Sequence, residues 1–416
     1  MKTKIKDKNT KYYLLLLISS FLLYLMSICI KVIYSAQLVS IIPYFNTTKS
    51  DAGLGLTFYY ASYGIVQLLI ATKFKIKNMK SFMISTTVLS AISFGAVIFT
   101  TQIWQVWIIL TINGFFQSSV WGGTVHFLGK YLPDSWSATS SLVMSFGLAI
   151  GTALSYGASA FFVAISDWRY TFLFFAVIML ITLVLFCLSL SVIDKKVGVR
   201  EDTFEKSFTE SRAELVVKQV PKRALSTLMT IIFLASLVSC SLYHGVLNWV
   251  PSLLKEVHNV DESYSLLITI LLPVGMMFGP AVATSTCEKY GHVFTVCSVF
   301  TVICAAILLL LAFFYDLHIV VAIVLSLLLL FFIRGIVNTL AGYLPLKLKH
   351  VVNSGNNAMI INAASCFGAA AMPFITGLIM DKLGWQSYYF ITLGVCVLLL
   401  VVFVIGVGSQ KKDHII

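Results

Sequence analysis

The chain has 416 residues, of which 59% are hydrophobic and only 11% are charged. Soluble globular proteins carry about 25% charged residues, so this composition excludes an ordinary soluble domain. The formal net charge of +12 is typical of nucleic-acid-binding proteins, but the placement of the charges along the chain points elsewhere.

The hydrophobic residues are grouped into long runs, and each run is long enough to cross a membrane as a helix. About 20 consecutive apolar residues span the roughly 30 Å hydrocarbon core of a bilayer. The sequence therefore predicts an all-α integral membrane protein with twelve transmembrane helices. We number the candidate spans 1 to 12 in chain order, at residues 14–42, 52–72, 81–100, 103–127, 139–164, 170–192, 226–250, 263–285, 293–314, 318–342, 353–380 and 387–407.

Because the spans alternate in direction, each connection falls on one side of the membrane or the other. The side that holds the two termini carries 23 of the 29 Lys and Arg residues, and two more lie within spans. The opposite side carries four, namely Lys49, Arg169, Lys255 and Lys382. This bias predicts cytoplasmic termini in a multi-pass protein of the cell membrane, the inner membrane of a bacterium. The basic residues then set topology and attract anionic lipid, so no nucleic-acid partner is expected.

One long polar segment, residues 193–225, separates the spans into two groups of six. Landmarks recur on either side of it: Tyr131-Leu132-Pro133 after span 4 matches Tyr343-Leu344-Pro345 after span 10, at an offset of 212 residues. We therefore predict an N-terminal half at 1–192, a cytoplasmic linker at 193–225 and a C-terminal half at 226–416. Since six is even, the two halves insert in parallel.

Two parallel six-helix halves with a charged linker resemble the major facilitator superfamily over essentially the whole chain. That superfamily carries a G-x-x-x-D-R/K-x-G loop motif after span 2 and again after span 8. Here Glu288-Lys289-Tyr290-Gly291 is similar to part of the second copy, whereas residues 71–77 keep neither the acid nor the glycine. The resemblance implies a secondary transporter working by alternating access, with spans 1, 4, 7 and 10 around a central cavity.

Further segments are similar to the organophosphate:phosphate antiporters and sugar-phosphate permeases within that superfamily. They are Tyr243–Pro251 followed by Leu254–Val257, Asp167–Phe172, and Leu383–Trp385. That group places one arginine on span 1 and another on span 7 to hold phosphate. Ser35 and Tyr243 stand at the corresponding positions here, so phosphate recognition does not follow from the resemblance.

Two cations are the charged residues expected inside the membrane. None of the 17 acidic residues falls within a span, whereas Lys31 lies in span 1 and Arg334 in span 10. A charge at a helix centre costs about 2.5–3.5 kcal/mol on insertion scales, so each needs a partner or water. One explanation is that these side chains snorkel to the interface or bond to backbone carbonyls. The explanation we prefer is that an anionic ligand in the cavity pairs with them.

Polar residues recur at helical spacing on the spans expected to line the cavity. They are Lys31, Tyr34 and Ser35 on span 1, Tyr60, Tyr63 and Gln67 on span 2, Asn113, Gln117 and Trp121 on span 4, Tyr243, His244 and Asn248 on span 7, and Arg334 and Asn338 on span 10. Such stripes indicate either a polar cavity or hydrogen bonds between helices. The candidate substrate-binding residues are Lys31, Tyr34, Gln117, Trp121, Tyr243, His244, Asn248, Arg334 and Asn338.

The sequence contains no nucleophile–base set, phosphate loop or zinc-ligand spacing that would indicate an enzyme. Its eight cysteines lie in or beside apolar spans rather than in a disulfide framework. We therefore expect no enzymatic activity, no cofactor and no metal.

The preferred function is transport of a small organic anion, such as an organic phosphate or a carboxylate, by a monomer surrounded by membrane lipid. Antiport against a counter-anion and symport with a proton both remain open, and His244 or the substrate itself would carry the proton. Two alternatives are a transporter-like sensor of an organic anion and an exporter of a lipophilic or cationic compound.

Overall fold

The structure, a computed structural model, describes residues 9–72, 78–133, 136–197, 222–344 and 354–413. These residues form helices joined by short connections, with no β-strand among them. The physical reason is that a backbone in lipid must satisfy its own hydrogen bonds within each segment. Most of the predicted linker, at 198–221, lies outside the described residues.

We call spans 1 to 6 the first half and spans 7 to 12 the second half, after the predicted division. The helices of the first half are Thr10–Ala36 and Leu38–Tyr44 for span 1, Lys49–Thr72 for span 2, Met79–Gly95 with a 3-10 turn Ala96–Phe99 for span 3, Ile103–Tyr131 for span 4, Ser137–Ile165 for span 5, and Arg169–Lys196 for span 6. Span 1 breaks at Gln37, whose buried amide donates to Thr171 on span 6 at 3.0 Å. This bond ties the C-terminal part of span 1 to span 6.

The second half contains spans 7 to 12, and its helices break more often. They are Lys222–Leu247 and Val250–Glu256 for span 7, Glu262–Thr269, Leu271–Met276 and Gly279–Tyr290 for span 8, Val293–Phe314 for span 9, Ile319–Asn338 with a π-helical turn Thr339–Tyr343 for span 10, and Ser354–Asp413 for spans 11 and 12 together. Pro251 and Pro280 each stand at the start of a helix after a break, where a missing N–H costs nothing. Spans 11 and 12 are separated by Gly384, whose φ of 78° suits a residue without a Cβ.

Ten helical segments within the described ranges are long and apolar enough to cross a membrane. One of them, Ile360–Gly408, is 49 residues long and contains two spans. The remaining span is the helix Ile103–Tyr131, which carries the polar stripe of span 4. The predicted all-α twelve-helix membrane fold is therefore confirmed.

Both described termini lie at one end of the bundle, which we call the proximal end; the opposite end is the distal end. Spans 2 and 11, and spans 5 and 8, pack against each other across the two halves. Near the distal end, Thr57 of span 2 donates to the backbone carbonyl of Ala370 on span 11 at 2.6 Å.

Polar contacts join the two halves at the distal end itself. The carboxylate of Asp381 accepts hydrogen bonds from the backbone N–H groups of Lys49 and Ser50. The ammonium of Lys49 lies 3.1 Å from the carboxylate of Glu256.

A second group of distal contacts is centred on span 8. Ser40 of span 1 donates to the carboxylate of Glu262, and Lys255 pairs with the same carboxylate at 2.7 Å. Lys255 also donates to the backbone carbonyl of Val39 at 3.2 Å. The two halves are thus closed against each other at the distal end.

Candidate functional site

Lys31 lies near the middle of span 1, and two tyrosine rings of span 2 surround its ammonium group. The Nζ atom is 4.7 Å from the ring centroid of Tyr63 and 5.2 Å from that of Tyr60. Such a contact contributes about 0.5–2 kcal/mol depending on desolvation, against an insertion cost of about 2.5–3.5 kcal/mol for the charge. Two contacts therefore offset much of the cost while leaving the positive charge unneutralised.

Arg334 repeats this arrangement in the second half. Its guanidinium carbon is 5.7 Å from the ring centroid of Tyr243 on span 7. In the described part of the chain the ion pairs all lie at the distal end, and none includes Lys31 or Arg334. Both interior cations are thus held by aromatic rings rather than by carboxylates.

His244 lies where the two halves meet. Its Nδ1 is 3.5 Å from the hydroxyl of Tyr60, and the two ring centroids are 4.7 Å apart. Lys31 contacts the same Tyr60 ring, and Arg334 contacts Tyr243, the residue before His244. The two cations therefore approach adjacent residues of span 7, Lys31 by way of Tyr60.

A cavity of about 350 Å³ lies beside Lys31. It extends from the middle of the bundle toward the proximal end. Most of its lining comes from the first half, with two residues from spans 10 and 11. The lining residues are Tyr24, Ser27, Ile28, Lys31, Tyr63, Gln67, Trp121, Leu148, Ala341 and Asn362.

One wall of the cavity is aromatic. The rings of Tyr24 and Trp121 have centroids 4.6 Å apart and are tilted by 45°, and Trp121 is 38% exposed. A Cβ on Gly147 of span 5 would lie 3.0 Å from the Tyr24 ring. The absence of a side chain at Gly147 thus lets span 5 pack directly behind this wall.

The other side of the cavity is polar, and its amides already have partners. Ser27 donates to the side-chain carbonyl of Gln117 at 2.6 Å. Asn362 donates to Gln67 across the two halves, and Gln67 donates to the hydroxyl of Tyr63 at 3.4 Å. These bonds hold the wall in one arrangement around the free charge of Lys31.

The predicted site residues separate into two groups. Lys31 and Trp121 line the cavity, and Gln117 lies directly behind Ser27. Tyr243, His244 and Arg334 form the adjoining cluster, and Asn338 is half-buried one turn beyond Arg334.

Tyr34 and Asn248 lie elsewhere. Tyr34 is 1% exposed, and its hydroxyl donates to the backbone carbonyl of Ala52 at 2.7 Å, which fastens span 1 to span 2. Asn248 is buried near the distal end. Asn113, also part of the span 4 stripe, donates to the backbone carbonyl of Ser90 at 2.9 Å and so joins spans 3 and 4.

Tyr24, Ser27 and Asn362 line the cavity without having been singled out in the sequence. Tyr24 and Ser27 precede Lys31 by seven and four residues, so they continue its helical face, and that spacing could have identified them. The π-helical turn Thr339–Tyr343, which contributes Ala341, had no recognisable signal, although such turns often occur at functional sites.

The family assignment rests on a match over most of the chain. Residues 16–370 match the Major Facilitator Superfamily profile. The chain belongs to the Major Facilitator Superfamily. The sequence resemblance to this superfamily is thereby confirmed. The chain matches no curated protein at a significant level.

Solved structures of superfamily transporters share this fold. A bacterial homolog of the human lysosomal transporter Spinster, inward-facing and unoccupied, has a TM-score of 0.71 at 12% identity, with 99% of each chain covered. The xylose transporter XylE from E. coli, partially occluded and inward open, has a TM-score of 0.69 at 15% identity, with 94% of this chain and 97% of that chain covered. A mutant of the nucleoside transporter NupG has a TM-score of 0.68 at 13% identity, with 94% and 99% covered. At these identities the likeness concerns the fold alone.

Proposed function

We propose that this superfamily member is a secondary transporter that moves a small organic anion by alternating access. The observation that carries the proposal is the pair of interior cations, Lys31 and Arg334, each held by tyrosine rings and neither paired with an acid of the described chain. A positive potential in a low-dielectric surround concentrates anions and repels cations. An anionic substrate would supply the missing counter-charge.

Alternating access is supported by the asymmetry between the two ends of the bundle. The distal end is closed by contacts between halves such as Asp381 with Ser50 and Lys49 with Glu256. The cavity lies between the midplane and the proximal end. With cytoplasmic termini, as the charge bias predicts, this arrangement corresponds to a state closed on the outside. Rocking of the halves about the central cluster would open the other side.

Both a phosphate and a carboxylate remain candidate groups for the anion. Ser35 carries no charge, and its hydroxyl already donates to the backbone carbonyl of Val32 at 2.7 Å. Tyr243, at the other position where sugar-phosphate permeases carry arginine, supports Arg334 instead. The guanidinium is thus supplied by Arg334 on span 10 rather than by span 1 or span 7. A guanidinium can donate two hydrogen bonds to a phosphate or to a carboxylate.

A thermal-shift screen of purified protein tests the proposal. A ligand at a hundredfold excess over its Kd stabilises the folded state by about 2.7 kcal/mol, which is easily measured as a rise in Tm. Organic phosphates, carboxylates, amino acids, neutral sugars and lipophilic cations should be compared at equal ionic strength. We expect the largest shifts from anions, and a largest shift from a lipophilic cation would contradict the proposal.

A further inference from the structure

The cavity places a charge and an aromatic wall at two levels of the same helix face. Tyr24 and Lys31 are seven residues apart on span 1, which corresponds to about 10 Å along the helix axis. Trp121 lies at the level of Tyr24, since Gln117, one turn away on span 4, is bonded to Ser27. A ligand with its anionic end at Lys31 would therefore bring its other end against Trp121.

The size of the cavity limits what can fill it. At about 350 Å³ it lies near the lower end of the roughly 300–1,000 Å³ typical of ligand pockets. That volume suits one ring with a short acid group.

The hydrogen bonding of the polar wall favours one kind of ring over another. Gln67 is bonded to both Asn362 and Tyr63, and Gln117 to Ser27. A sugar ring with several hydroxyls would have to find its partners among these amides, whose bonds to one another already use part of their hydrogen-bonding capacity. An aromatic ring needs only the exposed face of Trp121, where an offset or tilted stack contributes about 0.5–1.5 kcal/mol beyond the buried area.

We propose that the substrate is an aromatic monocarboxylate, with its carboxylate at Lys31 and its ring stacked on Trp121 beside Tyr24. This inference rests on the proposed anion transport and adds a specificity-determining residue to it. One cation lines this cavity, so a single negative charge is balanced there. Arg334, which contacts the Tyr243 ring and does not line the cavity, is left to act on the substrate when the halves move.

Isothermal titration of purified protein with matched acids tests the inference. Benzoate and 4-hydroxybenzoate provide the aromatic ring, cyclohexanecarboxylate has a ring of similar size without π-electrons, glucuronate has a hydroxylated ring, and benzyl alcohol has the ring without the charge. We expect the two benzoates to bind about tenfold more tightly than cyclohexanecarboxylate or glucuronate. Benzyl alcohol should bind more weakly than the two benzoates.

Variants of Trp121 then locate the ring. Both rings lose buried area in Trp121→Ala, but only benzoate also loses the stack, so benzoate affinity should fall about tenfold and cyclohexanecarboxylate affinity should fall less. Trp121→Phe should retain most of the benzoate affinity. Trp104→Ala is a matched control, because Trp104 lies on the same helix, is 52% exposed and does not line the cavity. It should change neither affinity.

The outcomes separate this inference from the proposed function. If glucuronate or cyclohexanecarboxylate binds as tightly as the benzoates or more tightly, the aromatic inference is wrong and anion transport stands. Equal losses for all acids in Trp121→Ala, with Trp121→Phe no better, would also overturn the stacking role. If benzyl alcohol equals benzoate and no anion binds better than its neutral analogue, both the inference and the proposed function are wrong. Because the ranking is measured on the unsubstituted protein, it decides the question even if a variant folds poorly.

Discussion

The carboxylate of Asp381 accepts a hydrogen bond of 2.8 Å from the backbone N–H of Ser50. It also accepts one of 3.1 Å from the backbone N–H of Lys49. The first N–H groups of a helix have no partner within it, and a negative charge there is favourable. The connection after span 11 thus caps the start of span 2 in the other half.

Loss of this cap should favour opening of the distal end. Asp381→Ala removes an interaction of about 1 kcal/mol, which changes the ratio of distal-closed to distal-open molecules about fivefold. Spin-label distances between Thr48 and Gln386, measured after replacement of the eight native cysteines, should gain a longer component. Asp316→Ala is the matched control, since Asp316 is a distal acid for which the structure shows no bond to the other half. An unchanged distance distribution in Asp381→Ala would contradict the role of the cap.

Close approach of the backbones should make Gly53 intolerant of a side chain. A Cβ at Gly53 on span 2 would lie 2.5 Å from the backbone carbonyl of Pro373 on span 11. Because the two residues belong to different halves, Gly53→Ala should destabilise distal closure by about 1–3 kcal/mol without unfolding either half. The same spin-label pair should therefore report opening. Gly122→Ala is the control, because a Cβ there meets nothing within 4 Å, and it should behave like the unsubstituted protein. Equal behaviour of the two variants would contradict a role for the contact between spans 2 and 11 in distal closure.

The tyrosine that supports Arg334 should be replaceable by phenylalanine and not by leucine. Tyr243→Phe keeps the aromatic face at 5.7 Å from the guanidinium, whereas Tyr243→Leu removes a contact of up to about 2 kcal/mol. We expect uptake into proteoliposomes to survive the first change and to fall at least fivefold in the second. If the hydroxyl matters instead, both variants will lose activity equally.

The topology predicts opposite accessibility for two exposed lysines. Lys195 ends span 6 at the proximal end, and Lys382 lies in the distal connection after span 11. In intact cells an impermeant maleimide should label Lys382→Cys and spare Lys195→Cys until the membrane is permeabilised. The unsubstituted protein should label weakly, since seven of its cysteines are buried and the eighth is half-buried. Labelling of Lys195→Cys from outside would reverse the assignment of the two ends.

Most of the fold was predictable because bilayer thickness imposes its own length scale. Each run of about 20 apolar residues became a helix close to its predicted bounds, with differences at span ends such as the continuation of span 7 to Glu256. The breaks within span 8 were not predicted, because a hydropathy pattern carries no information about a change of helix axis. Residues 198–221 of the linker lie outside the described residues, and the division into halves at 193–225 stays a prediction.

The site was predictable to the extent that charge and helical period determine it. Lys31 and Arg334 could be identified because a charge within a span is costly and therefore rare. Trp121 could be identified because it belongs to the polar stripe of span 4. Tyr34 shares a helical face with Lys31, yet its hydroxyl reaches Ala52 instead of the cavity. Side chains three residues apart on a helix still point in directions that differ by about 60°. Contacts with the neighbouring helix therefore decide whether such a side chain reaches the cavity. Asn362, from the other half, could not be linked to Gln67 by any local pattern.

The most direct test of the central claim is the affinity of the tightest-binding screened ligand for Lys31→Gln and Arg334→Gln. A charge-assisted hydrogen bond contributes about 1.5–3 kcal/mol, so Lys31→Gln should weaken an anionic ligand at least tenfold. Arg334→Gln, at a residue that does not line the cavity, should weaken it less, through the loss of positive potential. Lys382→Gln, which removes an exposed distal cation, should leave the affinity unchanged. If the tightest ligand is instead a cation or an uncharged lipophile, and both interior variants bind it as well as the unsubstituted protein does, the anion account is contradicted.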